Sequence, residues 1–355
     1  MKKVFLLVIC MAFALVVSAQ PAHYYNAANG LTGTPLKQAL HNIIKDHTTV
    51  SYGQLWNAFW STDNKGNGVV WDMYSDRPNG TPPYTYYLGT DQCGNYNGEG
   101  DCYNREHSWP QSWFNEQTTP RSDLHHIFPT DGWVNNKRAN YPFGEVRSAS
   151  WTSQNGSKLG TCKTSGYSGT VFEPIDEYKG DFARALMYMS VRYHGEDGSW
   201  GNSDMTTKAE IKDWAINMLM RWNEQDPVSQ KEIDRNNAIY DDYQHNRNPF
   251  IDHPEYARMI WDPSWDIAEQ QTSQAVYLFP NPVERGQTLH LSGHCSAFDD
   301  VIVCDMTGRT LFKTSTDNAK GCCQLTLPRD LQRGCYIVKL MRGDKVVKYE
   351  KLLVK

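Results

Sequence analysis

Between residues 101 and 147 the chain reads DCYNREHSWPQSWF and then, after a short gap, SDLHHIFPTDGWVNNKRANYPFGEV. This stretch sets a carboxylate beside an imidazole (Glu106, His107), follows with two more histidines (His125, His126), and ends in an Asn/Arg segment from Asn135 to Asn140. A neutral imidazole can take a proton from water near pH 7. A carboxylate and an amide oxygen suit a hard divalent cation such as Mg²⁺, which keeps several of its waters. Phosphodiester hydrolysis needs both: a deprotonated water in line with phosphorus, and charge neutralisation at the leaving oxygen. His107 as base, with Glu106 and Asn135 as Mg²⁺ ligands, meets these needs, and Mn²⁺ or Ca²⁺ could substitute in binding.

These residues must be positioned by the elements around them. The pattern predicts strand, long loop, strand, short helix. Ser108-Trp109-Pro110 stops the first strand after His107, because proline has no N–H to give a ladder. Leu124, His126 and Phe128 alternate with Asp123, His125 and Ile127 as a second strand would require. Pro129 to Gly132 reads as a turn, and Asp131 as the N-cap of a helix over Gly132 to Ala139. That helix places Asn135, Arg138 and Ala139 on one face. Adjacent strand residues point to opposite faces, so Glu106 and His107 can serve one site only near a strand end. The second nitrogen of His107 needs a holder, either a backbone carbonyl or Asp123.

Each feature has a plainer reading. Glu-His is a common dipeptide. His125 and His126 could bind zinc, but no Cys or His sits at zinc-like spacing, which favours ordinary hydrogen bonding. Asn136, Lys137 and Arg138 could be a solvated helix face. Arg121, Arg138, Arg235 and Arg247 could be ion-pair residues in an acidic domain.

The composition supports a globular protein of 355 residues, with 39% hydrophobic residues and with 12 Trp and 20 Tyr as large anchors. Residues 20–265 carry 21 Lys/Arg against 30 Asp/Glu. That balance argues against a tight, sequence-independent nucleic-acid binder, while leaving room for a local basic groove. Residues 1–19 have two lysines, an apolar run and a small-residue end, the pattern of a secretory signal peptide. No second apolar run of about 20 residues follows, so no further spanning helix is expected. In an oxidising compartment disulfides are allowed. Cys93 and Cys102, flanking a Gly/Asn-rich turn, are the expected local pair.

Helices are expected over Pro35 to Thr48, Thr49 to Trp60, Asp181 to Tyr193, Lys208 to Asn223 and Val228 to Tyr243. The third is expected to bury one stripe of Phe182, Leu186, Met189 and Tyr193. Trp71 to Tyr74 reads as a short strand, Asp76 to Asn104 as an irregular approach, and Ala149 to Gly169 as a surface loop. Residues 263–275 read as a polar linker. Beyond it, short alternating strands separated by Asn, Gly and Asp turns predict a small β-sandwich over 276–355. The fold class expected is α+β: a mostly helical domain over 20–262 around a strand–strand–helix core, then an all-β sandwich.

NREHSWPQSWF and SDLHHIFPTDGWVNNKRANYPFGEV resemble the bacterial endonuclease I family, secreted or periplasmic members of the His-Me finger (ββα-metal) nucleases. A second block, RWNEQDPVSQKEIDRNNAIYDDYQHNRNPFIDHPEYARMIW at 221–261, carries the same resemblance. It implies a Mg²⁺-dependent, non-specific endonuclease acting on DNA and often RNA and leaving 5′-phosphate ends. His107 would be the base, with Glu106 and Asn135 on the metal. Arg138 and Arg247 are the further candidate catalytic residues, and Arg121, Lys137, Arg235 and Asn248 the candidate nucleic-acid contacts. The family usually has Gly where this chain has His245, and Val-Val or Val-Trp where it has Ser108-Trp109. The tail, with YLFPNPV, DMTGR, LQRGCYIVKL and KLLVK, resembles the C-terminal sorting domain of the type IX (Por) secretion system. It implies recognition by outer-membrane secretion machinery and a secreted or cell-surface product; the chain is expected to be a monomer. A catalytically idle surface protein binding nucleic acid or glycan, and a zinc hydrolase, are the competing readings.

Overall fold

The computed structural model describes residues 20–262, 277–292, 299–306, 308–315, 323–343 and 345–355. The expected signal peptide and linker lie outside the described residues. The chain divides into two compact units, up to Trp261 and from Asp262 onward.

The first unit runs α1 (Gly33–Ile44), α2 (Leu55–Thr62), β1 (Tyr103–His107), α3 (Thr118–Arg121), β2 (Ile127–Asp131), α4 (Gly132–Arg138), β3 (Val146–Thr152), β4 (Lys158–Cys162) and β5 (Thr170–Glu173). It continues with α5 (Lys179–Arg192), the two-residue strands β6 (Thr206–Thr207) and β7 (Glu210–Ile211), α6 (Asp213–Gln225), α7 (Gln230–Ala238), α8 (Pro249–Asp252) and α9 (Tyr256–Trp261). The expected single stripe on α5 is corrected: all 14 of its residues are buried. A helix covered on every side is the centre of a core rather than its edge, and α1, α6 and α8 pack around this one. Its polar residues are buried with partners, as in Arg184 to Glu232 and Ser190 to Lys37.

Three other expectations are revised. Residues 149–169 are not a loop, because β3, β4 and β5 form an antiparallel meander there. Ser, Thr and Gly on β3, whose residues are mostly exposed, and on β4 hid the alternation. Trp71 to Tyr74 forms a turn, with Asp72 accepting the Tyr74 N–H at 2.8 Å. The expected helix from Lys208 begins only at Asp213, after the β6–β7 hairpin. Helix α7 opens on a capping box between Ser229 and Glu232, and the chain then passes through a π-turn over Ile239–Tyr243. His245 adopts φ +58°, a left-handed conformation that glycine enters at no steric cost, so the residue type expected there from the family pattern has a backbone reason.

The second unit holds β8 (Tyr277–Phe279), β9 (Thr288–Ser292), β10 (Asp300–Cys304), β11 (Thr310–Ser315), β12 (Cys323–Thr326), β13 (Gly334–Arg342) and β14 (Lys345–Val354). They form a four-stranded sheet ordered β11-β10-β13-β14 and a three-stranded sheet ordered β12-β9-β8. Val301, Val303, Val338, Leu340, Leu289 and Leu291 alternate inward into one core, as period-two patterning requires. The α+β class holds, with helices in the first unit and sheets making up the second. No helix among the described residues is long and apolar enough to cross a membrane.

Candidate active site

The site is built on β1, β2 and α4. The two strands are antiparallel, with Glu106 opposite Phe128 and His107 opposite Ile127. β1 ends at His107 as expected, and Ser108 then turns its N–H and hydroxyl onto the His126 carbonyl, both at 3.0 Å. The second strand starts later than its alternation suggested. Leu124–His126 is a 3₁₀ turn, because Asp123 caps it by accepting the His125 N–H. Pro129 and Thr130, expected in a turn, lie instead within β2; the ladder has only two strands, so an edge is open to proline. Asp131 caps α4 as expected, its Oδ1 accepting the Val134 N–H at 2.7 Å.

Glu106 is 1% exposed and His107 5% exposed. Period two sends them to different sides of β1. On the Glu106 side, Oε1 accepts from Tyr74 Oη at 2.9 Å and from Arg138 Nη1 at 3.0 Å. Asn104, two residues back on that face, accepts from Asn135 Nδ2 at 2.7 Å. That bond engages the amide nitrogen of Asn135 rather than its Oδ1. Burial pushes the Glu106 carboxyl up to about 7, against the pull of Arg138 and the Tyr74 hydroxyl. A buried carboxylate held near neutrality gains most from a nearby cation.

On the other side, His107 Nε2 lies 3.0 Å from the Arg121 carbonyl. Only an N–H can donate there, so the neutral ring carries its proton on Nε2 and its lone pair on Nδ1. The holder is therefore the backbone, and not Asp123, which serves Tyr188, Tyr193 and Gln244. Gln111 Nε2 stands 3.4 Å from Nδ1. Burial drives the imidazole down to about 3, and the nearby His126, Arg105 and Arg121 add to the effect. His107 is thus a neutral acceptor across the physiological range. Tyr52 stacks on it at 6.0 Å.

The remaining sequence candidates divide by burial. Arg138 is buried, and it grips Glu106 and the carbonyls of His107 and Ser108, so it positions the site from within. Arg121 reaches over the Tyr52 ring, 4.4 Å from its centroid, and Lys137 lies over Trp133. Arg235, Arg247 and Asn248 are interior residues. Arg235 is buried on Asp63 and on the carbonyls of Leu124 and Ile127. Arg247 is 1% exposed and closed onto Asp252 and Asn237. Asn248 caps α8 and donates to the Arg184 carbonyl. Each is buried and enclosed by its own partners. His125 and His126 turn Nε2 to the backbone carbonyls of Asn246 and Pro120. Among the described residues no three His, Cys, Asp or Glu side chains converge on one point. A zinc site would need several such donors, whereas Glu106 and Asn135 would bring two oxygens, which suits a largely hydrated Mg²⁺.

Sequence reading missed Tyr74, Asn104 and Gln111. Asn104 alone left a signal, since it lies two residues before Glu106 and so on the same face of the strand. Cys93 and Cys102 are joined as expected, with Cα atoms 5.8 Å apart. The loop they close meets the site: the Gly100 N–H donates to Asp131 Oδ2 at 2.9 Å, and the Gly132 N–H to the Cys102 carbonyl.

Comparison with known proteins identifies the family. Residues 32–255 match the family model described as Endonuclease I, and residues 277–355 match that of a secretion system C-terminal sorting domain. The extracellular ribonuclease of Bacillus amyloliquefaciens is 41% identical over 256 residues, covering 69% of this chain and 80% of that protein. The extracellular ribonuclease of Bacillus subtilis (strain 168) is 39% identical over 250 residues, covering 67% and 78%. The chain belongs to the endonuclease I family: it is a nuclease, secreted or held at the cell surface, that ends in a Por-type sorting domain.

Proposed function

We propose that this nuclease hydrolyses internal phosphodiester bonds of both DNA and RNA, with Mg²⁺ as its metal, and leaves 5′-phosphate ends. The observation that carries the reading is the tautomer of His107. Its Nε2–H is spent on the Arg121 carbonyl, which leaves Nδ1 as the one ring atom able to take a proton from water. Gln111, at 3.4 Å, can hold that water or the ring in register. Glu106 Oε1 is turned toward Tyr74 and Arg138, so Oε2 and Asn135 Oδ1 would hold the cation. When bound, Mg²⁺ would neutralise charge on the phosphate and its leaving oxygen. Arg138 keeps Glu106 and the end of β1 fixed while the proton moves to His107.

RNA as a substrate is supported by the two Bacillus relatives, both extracellular ribonucleases by name, and DNA by the resemblance of the 101–147 and 221–261 blocks. The sorting domain would deliver the enzyme through the outer-membrane machinery. The test is cleavage of supercoiled plasmid and of a defined RNA with Mg²⁺ and with EDTA. Cleavage of both, abolished by EDTA, is expected; cleavage that persists in EDTA would sink the metal assignment. Metal analysis of the purified protein separates Mg²⁺ from zinc.

A further inference from the structure

Arginines buried in the first unit are neutralised by carboxylates: Arg138 by Glu106, Arg184 by Glu232, Arg235 by Asp63 and Arg247 by Asp252. Two half-buried arginines beside His107 are held differently. Arg105 places its guanidinium carbon 3.5 Å from the Tyr52 ring centroid and 4.4 Å from that of Trp56, and donates to the Tyr52 carbonyl at 2.7 Å. The Arg121 guanidinium sits 4.4 Å from the same Tyr52 ring, and its buried Nε has no hydrogen-bond partner. No carboxylate partners either cation among the described residues.

Two like charges sharing one ring repel each other. Cation–π contacts return only a weak attraction apiece. An unfilled donor beside a second cation suits an anion better than a core. We propose that Arg105 and Arg121, gathered by Tyr52 beside His107, form a subsite for a second phosphate of the polynucleotide, adjacent to the one that is cut. This rests on the nuclease reading. Arg105 shares the His107 face of β1, while Glu106 and Asn104 share the Asn135 face. The arginines therefore share the side of the strand that carries His107 and lie across it from Glu106 and Asn104. The subsite would favour chains with several phosphates over a dinucleotide with one.

The test is the salt dependence of binding, measured by fluorescence anisotropy with a labelled single-stranded DNA of about ten nucleotides. It is run in Mg²⁺ with the full-length chain carrying His107→Ala, so that the strand survives. Each phosphate contact on a single strand contributes about 0.7 to the slope of log K against log salt. Arg105→Gln or Arg121→Gln should each lower the slope by about 0.7, and the pair by about 1.4. Arg105→Lys, which keeps the charge, should restore the parent slope, as a purely structural role would not. Should Arg105→Gln melt below the assay temperature, Arg121→Gln decides by the same slope. Unchanged slopes in a chain whose wild type cleaves nucleic acid overturn the subsite alone. A wild type that cleaves neither DNA nor RNA overturns the nuclease reading, and the subsite with it.

Discussion

Arg138 reaches back from the last turn of α4 to Glu106, Nη1 to Oε1 at 3.0 Å. The same guanidinium closes on the carbonyls of His107 at 2.8 Å and Ser108 at 2.6 Å. One side chain thus locks the helix that carries Asn135 to the strand end that carries His107 and Glu106. Both partners of the pair are 1% exposed. Removing one member of a buried pair leaves the other charge uncompensated, at a cost of about 3–5 kcal/mol. Arg138→Met should lower unfolding stability by roughly that amount, as read from denaturant midpoints. Arg138→Lys should fall between, because an ammonium cannot span three acceptors in the planar guanidinium geometry. An Arg138→Met chain as stable as wild type would show that the pair does not hold the site together.

Base and ligand separate by metal titration. His107→Ala should lose roughly 10²–10⁴-fold in turnover, the usual scale for a general base, while Glu106 and Asn135 remain in place. Glu106→Ala should bind Mg²⁺ weakly, because a lone amide oxygen holds a hydrated cation poorly. Its cleavage rate should recover in part at high Mg²⁺, whereas that of His107→Ala should not. Wild-type turnover in His107→Ala would move the base elsewhere.

Acid stability follows from histidines buried as neutral rings. Burial drives His125 and His126 down to about 4 each, against the favourable field of Asp123, whereas an unfolded histidine titrates near 6.5. Between these values the unfolded chain binds more protons than the folded one, so stability rises with pH. It is complete above about pH 6.5 and drains away as the pH falls toward 4. A tenfold loss of proton affinity on folding corresponds to about 1.4 kcal/mol, so together the two rings contribute several kcal/mol. Urea midpoints measured from pH 7 to pH 4 should fall steadily, and less steeply in a folded His126→Gln variant. A flat profile would mean that these rings are not buried neutral.

The Cys93–Cys102 bond spans a sequence separation of 9. In the loop-entropy view, closing so short a loop restricts the unfolded chain by about 2–3 kcal/mol. The Cys93→Ser/Cys102→Ser protein should melt at a lower temperature by the equivalent amount. Because Gly100 leans on Asp131, the cap of α4, its Mg²⁺ requirement should rise as well. A calorimetric scan together with a Mg²⁺ titration of cleavage checks both outcomes.

Local chemistry alone specified the scaffold of the site. Pro110 ends β1 wherever the strand lies, Asp131 caps whatever helix follows it, and nine residues bring Cys93 within reach of Cys102. The tail's strands were equally legible, because an alternating run facing one core is written residue by residue. The bases for these statements are short-range, so distant segments do not alter them. What the sequence could not assign was the partner of each charge. Arg105, Arg121, Arg235 and Arg247 are chemically alike, and a guanidinium suits a carboxylate as well as a phosphate. Asp63 reaches Arg235 across 172 positions, while Tyr52, 53 positions before Arg105, gathers two arginines without a carboxylate. Tertiary packing alone decides which arginines are neutralised, because the field at a guanidinium is set by whatever distant chain folds against it.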